Sequence, residues 1–162
     1  MLRSKTASRR DPSREELLSY ACRIMARKAY TRSELAKKLQ ARSSEPETID
    51  SVLHSLAESG YLNDLEYARQ YLLSRQNSRP AGRRLVEMKL KARGVPLEII
   101  RDVLSEVAPE EEEKQARELA EKKAVSLRKV DEATRCRRIY QFLLGRGFSP
   151  EIAARCARAD TE

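Results

Sequence analysis

"LAKKLQARSSEPETIDSVLHSL", Leu35 to Leu56, recurs in altered form 51 residues further along the chain. Leu35 falls on Val86, Leu39 on Leu90, Arg42 on Arg93, Ser43 on Gly94, Ile49 on Ile100, Val52 on Val103 and Leu53 on Leu104, with no gap. A second step, of 53 residues, places Val86 on Ile139, Leu90 on Leu143, Arg93 on Arg146, Gly94 on Gly147, Val95 on Phe148 and Glu98 on Glu151. The matched apolar positions lie three and four apart on either side of a short break, which is the spacing of two helices that each bury one face. A period near fifty residues is that of a tandem array. With one further helix ahead of each matched pair, the units are predicted to run over 13–60, 61–108 and 109–160, after a flexible basic tail at 1–12.

Start and stop signals divide each unit further. Ser13 with Glu16 and Thr31 with Glu34 have capping-box spacing, and Asn63 with Glu66 is its Asn variant. Gly60, Gly94 and Gly147 stand where a helix must end in the left-handed conformation that glycine adopts without steric penalty. Helices are expected at 14 to 28, 32 to 42 and 47 to 59, then 64 to 77, 81 to 93 and 97 to 107, then 110 to 128, 132 to 145 and 150 to 158. No sustained two-residue alternation competes with this pattern. The reading is all-α: three tandem three-helix repeats, each a trihelical, homeodomain-like unit, in an elongated array.

Composition agrees with thin helical elements. Charged residues make up 36% and aromatics 5%, so apolar residues suffice for narrow stripes rather than one generous core. A formal charge of +8 favours an anionic partner: nucleic acid, a nucleoprotein assembly or an acidic protein face. Cys22, Cys136 and Cys156 are far apart and lack any C-x-x-C pairing, a pattern of reduced thiols that fits a cytoplasmic protein. His54 is the sole histidine, so no metal site is expected. No apolar run reaches the length of a membrane span, and "MLRSKTASRR" has no apolar core of a signal peptide. Neither a phosphate-binding Gly-rich loop nor a nucleophile with a histidine in reach can be found, so no catalytic residue and no cofactor is expected.

The charges are sorted by helix. Middle helices carry the cations, and final helices carry acids such as Glu47, Asp50, Glu98 and Asp102. Stacked in register, the middle helices would form a broken basic ridge, to which we assign Arg32, Lys37, Lys38, Arg42, Arg75, Arg83, Arg84, Lys91, Arg135 and Arg138 as partner- or DNA-binding residues. Reversing Arg83 and Arg84 together is expected to weaken binding and leave the helices intact. For any one of these residues the alternative is a solvated helix face. On the helical wheel Leu85, Val86, Met88, Leu90 and Ala92 share a broad apolar arc, with Lys89 and Arg93 inside it, where long stems can cover the core. Acidic final helices are poorly suited to reading bases in a duplex. Tyr61, Tyr67 and Tyr71 are expected to pack between units, and "PEEEE", Pro109 to Glu113, to open a helix with acids at its positive end.

The stretch "GYLNDLEYARQYLLSRQNSRPAGRRLVEMKLKARGV", Gly60 to Val95, resembles the signature of the RecX regulatory proteins. The resemblance is carried by Gly60, Leu62 and the Asn63-Asp64 cap, by Tyr67-Ala68, by Ser74-Arg75, and by the glycine-led basic element that closes on Arg93-Gly94-Val95. "ACRIMARKAYTRSELAKKLQAR" upstream and "IYQFLLGRGFSPEIAARCA" downstream are similar to that family as well. Asn63 stands where an Asp is usual, and Pro80-Ala81 precede Gly82 where an aromatic-Gly pair before Pro is common. The second departure falls at the start of a middle helix. The resemblance implies a curved, three-repeat regulatory protein, monomeric and without catalytic residues. It would bind the RecA filament on single-stranded DNA, with direct weak contact to DNA as a further partner, and restrain strand exchange, ATP hydrolysis and co-protease activity.

Overall fold

Ser13 and Thr31 begin their helices with reciprocal capping boxes. Each hydroxyl accepts from the backbone N–H three residues on, and Glu16 and Glu34 accept from the N–H groups of Ser13 and Thr31 in return. The computed structural model describes residues 10–78 and 80–159 and contains, among those residues, nine α-helices and no strand. They are α1 Arg14–Met25, α2 Arg32–Gln40, α3 Pro46–Glu58, α4 Asp64–Asn77, α5 Arg83–Ala92, α6 Leu97–Ser105, α7 Pro109–Val125, α8 Glu132–Gly145 and α9 Pro150–Ala159. The chain divides into two units, 1–63 holding α1–α3 and 64–162 holding α4–α9.

In the first unit the periodic residues meet as predicted. Leu17 and Ala21 of α1, Leu35 and Leu39 of α2, and Ile49, Val52, Leu53 and Leu56 of α3 form one buried cluster. The expected tail lies outside the described residues as far as residue 9. Residues 10 and 11 are tied to the unit, Arg10 by an ion pair to Glu16 at 3.1 Å and Asp11 by accepting from the backbone N–H and the hydroxyl of Ser44. The chain leaves α2 through Ser43, at negative φ, where the later repeats use glycine. Ser43 is buried, and its Oγ accepts from the Glu45 N–H at 3.2 Å, so a side chain closes the turn that glycine closes elsewhere.

The second unit holds two further cores. Ala68, Leu72, Val86, Leu90, Ile100 and Val103 close the second repeat; Ala116, Ala120, Ile139, Leu143, Phe148, Ala153 and Ala157 close the third. Gly94 and Gly147 end α5 and α8 at φ +75 and +86, and the next residue bonds back to Leu90 O and Leu143 O in each case. The apolar arc of α5 is narrower than the wheel implies. Val86 and Leu90 are buried, whereas Met88 is 53% exposed. Tyr67 and Tyr71 pack against the core of their own repeat, and Tyr61 is 77% exposed.

A backbone crossing joins repeats two and three. α5 opens on Gly82, which offers no capping side chain, and its first N–H groups are taken up by the third repeat. Gly82 N–H donates to Arg146 O at 2.9 Å, Arg84 N–H to Gly147 O at 3.1 Å, and Arg83 N–H to Glu112 Oε1 at 2.9 Å. The approach is closer than any side chain permits: a Cβ on Gly82 would stand 2.3 Å from Gly147 O, and one on Gly147 the same 2.3 Å from the Cβ of Leu85. Helix α5 is therefore capped by its neighbour.

Candidate partner interface

Arg83 shows how the joint reassigns a cation. Its Nε lies 3.0 Å from Glu112 Oε2, an ion-pair distance with the N–H angled off the hydrogen-bond line, and its terminal nitrogen donates to Val107 O. Glu112 is 9% exposed, so this carboxylate is buried between α7 and the start of α5 and matched there by one guanidinium and one backbone N–H. Arg83 thus sits inside the joint, half-buried, and reversing its charge would set two carboxylates together. Arg83 and Arg84 are not equivalent: the Arg84 side chain is exposed, within electrostatic reach of Glu151.

The recurrent arginines have a second structural use. The Arg42 guanidinium lies 3.8 Å from the ring centre of Tyr20, and Arg93 lies 5.6 Å from that of Tyr71. Tyr20 and Tyr71 are themselves 51 residues apart, so the stack recurs in the same register as the repeat. In the third repeat that register reaches Ala124, and Arg146 instead lies over Phe142, one turn back on its own helix, at 5.2 Å. Arg75 covers Tyr71 from α4 at 4.9 Å. Position by position, the Arg42, Arg93 and Arg146 set is the single cationic place common to all three repeats, and it clamps the end of each middle helix to an aromatic ring. Register alone therefore does not mark a partner contact.

The remaining assigned residues fall into local groups. Arg32, Lys37 and Lys38 are exposed along α2 in the first unit. In the second, Lys91 is exposed and paired with Glu87 one turn back on α5, Arg135 is half-buried, and Arg138 is exposed on α8. Lys123 and Arg137 are not among the ten residues assigned from sequence. Together with Arg138 they line a groove of about 600 Å³ between α7 and α8, floored by Leu127 and Phe142. Neighbouring carboxylates serve other contacts. Glu113 bonds Arg155 of α9 at 2.7 Å, and Glu106 bonds Arg69 of α4 at 2.6 Å; these hydrogen bonds hold both carboxyl groups below their ordinary value. The Ser149 hydroxyl does the same for Glu151, with smaller help from Arg84 and Arg155.

The described residues hold no group of acidic, histidine or cysteine residues placed to bind a metal ion, and none of their helices is long and apolar enough to cross a membrane. Among the described residues Cys22, Cys136 and Cys156 form no disulfide. Small helical cores with charged outer faces make this chain a helical-repeat protein. Models of the first, second and third three-helix domains of RecX match residues 18–56, 63–104 and 110–156. The regulatory protein RecX of Deinococcus radiodurans is 36% identical over 151 residues, 93% of this chain and 71% of that one. Its counterpart in Thermus thermophilus is 37% identical over 147 residues, 91% of this chain and 94% of the relative. A crystal structure of RecX from Lactobacillus salivarius superposes with a TM-score of 0.83 at 23% identity, over 90% of this chain and 95% of that one, a likeness of fold. The chain belongs to the RecX family of regulatory proteins.

Proposed function

We propose that this protein binds the RecA recombinase filament on single-stranded DNA and restrains its ATPase, strand-exchange and co-protease activities, and so modulates recombinational repair and the SOS response. Similarity to regulatory RecX proteins across all three repeats carries the reading. The surface charge supports it. A filament on DNA presents phosphates and acidic protein side by side, and a protein of net charge +8 with cations spread over several helices suits such a partner. The protein would act as a cytoplasmic monomer, through non-covalent contact and without a cofactor.

Of the ten cations assigned from sequence, we infer that Arg32, Lys37, Lys38, Arg84, Lys91 and Arg138, all exposed, reach a partner. Arg42, Arg75 and Arg83 serve the fold first, through tyrosine stacking and the Glu112 joint, and Arg135 is half-buried. A second reading, non-specific DNA binding without the recombinase, draws on the same net charge. Titration into a RecA ATPase assay on single-stranded DNA separates the two. The proposal expects inhibition at concentrations well below those that coat free DNA. Inhibition that begins only once the DNA is coated would favour the second reading.

A further inference from the structure

We propose that the groove between α7 and α8 docks an acidic peptide segment carrying apolar side chains, supplied by a protein partner. Lys123 from α7 and Arg137 and Arg138 from α8 rim this groove, Gln141 adds an amide, and Leu127 and Phe142 form its floor. No carboxylate lies within ion-pair distance of Lys123, Arg137 or Arg138 among the described residues; Asp131 is within electrostatic reach of Arg137, but its side chain accepts from the Thr134 N–H at the start of α8. Two acids of the third repeat are used elsewhere, Glu112 on Arg83 and Glu113 on Arg155. Three cations thus line an apolar patch with no direct ion pair to a carboxylate, whereas the groove beside α1 in the first unit mixes Glu15 and Glu16 with its arginines.

The aromatic floor selects between anionic partners. Single-stranded nucleic acid needs a ring face on which a base can stack. The Phe142 ring is already engaged by two cations, Lys123 at 5.6 Å and Arg146 at 5.2 Å from its centre. With that ring engaged, the apolar lining of Leu127 and Phe142 suits an aliphatic side chain better than a stacked base, and the three cations suit flanking carboxylates. An acidic segment with interspersed apolar residues meets both demands at once. Phosphate alone meets one.

The inference extends the filament reading by locating one contact with protein, yet its test needs no recombinase, so the two can fail separately. The probe is a fluorescein-labelled peptide of alternating Glu and Leu, titrated with the full chain and followed by anisotropy, beside an oligothymidylate strand. Joint replacement Arg137→Ala and Arg138→Ala should weaken peptide binding roughly tenfold, as expected for two charge pairs at a partly desolvated site, while Lys122→Ala, on the same helix as Lys123 but outside the lining, should leave it unchanged. Circular dichroism of each variant should match that of the parent, since the replaced side chains are exposed. Equal peptide affinity in parent and double variant would overturn the proposal. So would selective loss of oligothymidylate binding in that variant, which would assign the groove to nucleic acid.

Discussion

α2 and α5 occupy the same place in successive repeats, yet their first turns are held in opposite ways. α2 carries its own cap: the Thr31 hydroxyl and the Glu34 carboxylate close a capping box within four residues of chain. α5 opens on Gly82, and three consecutive N–H groups, those of Gly82, Arg83 and Arg84, are satisfied by Arg146 O, Glu112 and Gly147 O from the next repeat. A borrowed cap couples two repeats in a way that a local cap cannot. Repeats two and three should accordingly lose structure together, even though each has its own apolar core.

Substitution at the joint should have the largest effect. Gly82→Ala drives a methyl group into the Gly147 carbonyl at 2.3 Å, with backbone on both sides and no flexible side chain to yield. We expect a loss of about 3 kcal/mol or more. Hydrogen exchange should accelerate in α5 and α8 alike; acceleration confined to α5 would mean that the repeats are not coupled. Next comes Glu112→Ala, which leaves the Arg83 N–H and guanidinium without their carboxylate and should cost about 2 kcal/mol, read from urea denaturation. A smaller effect is expected of Thr31→Ala, about 1 kcal/mol, with the largest exchange changes in the first turn of α2. Effects from Thr31→Ala that match those at Gly82 would erase the distinction between local and borrowed caps.

Acid should give the smallest change. Glu106 and Glu113 have native values below their ordinary 4.5, held there first by hydrogen bonds from Arg69 and Arg155. A carboxyl group lowered in the native state contributes its stability in full above 4.5 and loses it as the pH falls through the native value. Glu106 is exposed and Glu113 half-buried, each reached by solvent, so the effect is modest. The urea midpoint of the second unit should fall below pH 4.5 more in the parent than in a chain carrying Arg69→Gln and Arg155→Gln. Identical acid sensitivity in the two would remove these pairs from the account.

Much of the fold was legible because it is written locally. Leu35 with Leu39, Val86 with Leu90 and Ile139 with Leu143 announce buried helix faces by spacing alone, and Gly94 and Gly147 announce the stops. Helix ends were less secure. α1 stops at Met25 and α7 at Val125, each three residues short of expectation, the latter where Ser126, Leu127 and Val130 turn to i,i+3 bonds. The joint was hidden. Nothing in "PEEEE" separates Glu112 from Glu110, Glu111 or Glu113; it becomes special only when α7 meets the start of α5. Lys123 was missed for the same reason, since its place at the groove follows from how α7 crosses α8. The recurring Arg42, Arg93 and Arg146 were visible, and so was the accompanying signal that assigns two of them to packing: Tyr20 and Tyr71 share their interval.

Anisotropy of the labelled protein, titrated with RecA filaments assembled on single-stranded DNA and with the same DNA bare, compares the two partners in one experiment. Binding to the filament should be tighter by at least an order of magnitude, and should weaken when Lys37, Lys38, Arg84 and Arg138 are together changed to Ala, each of them exposed and outside the joint. Equal affinity for filament and bare DNA would contradict a filament-directed regulator and leave a basic helical protein that binds DNA by charge.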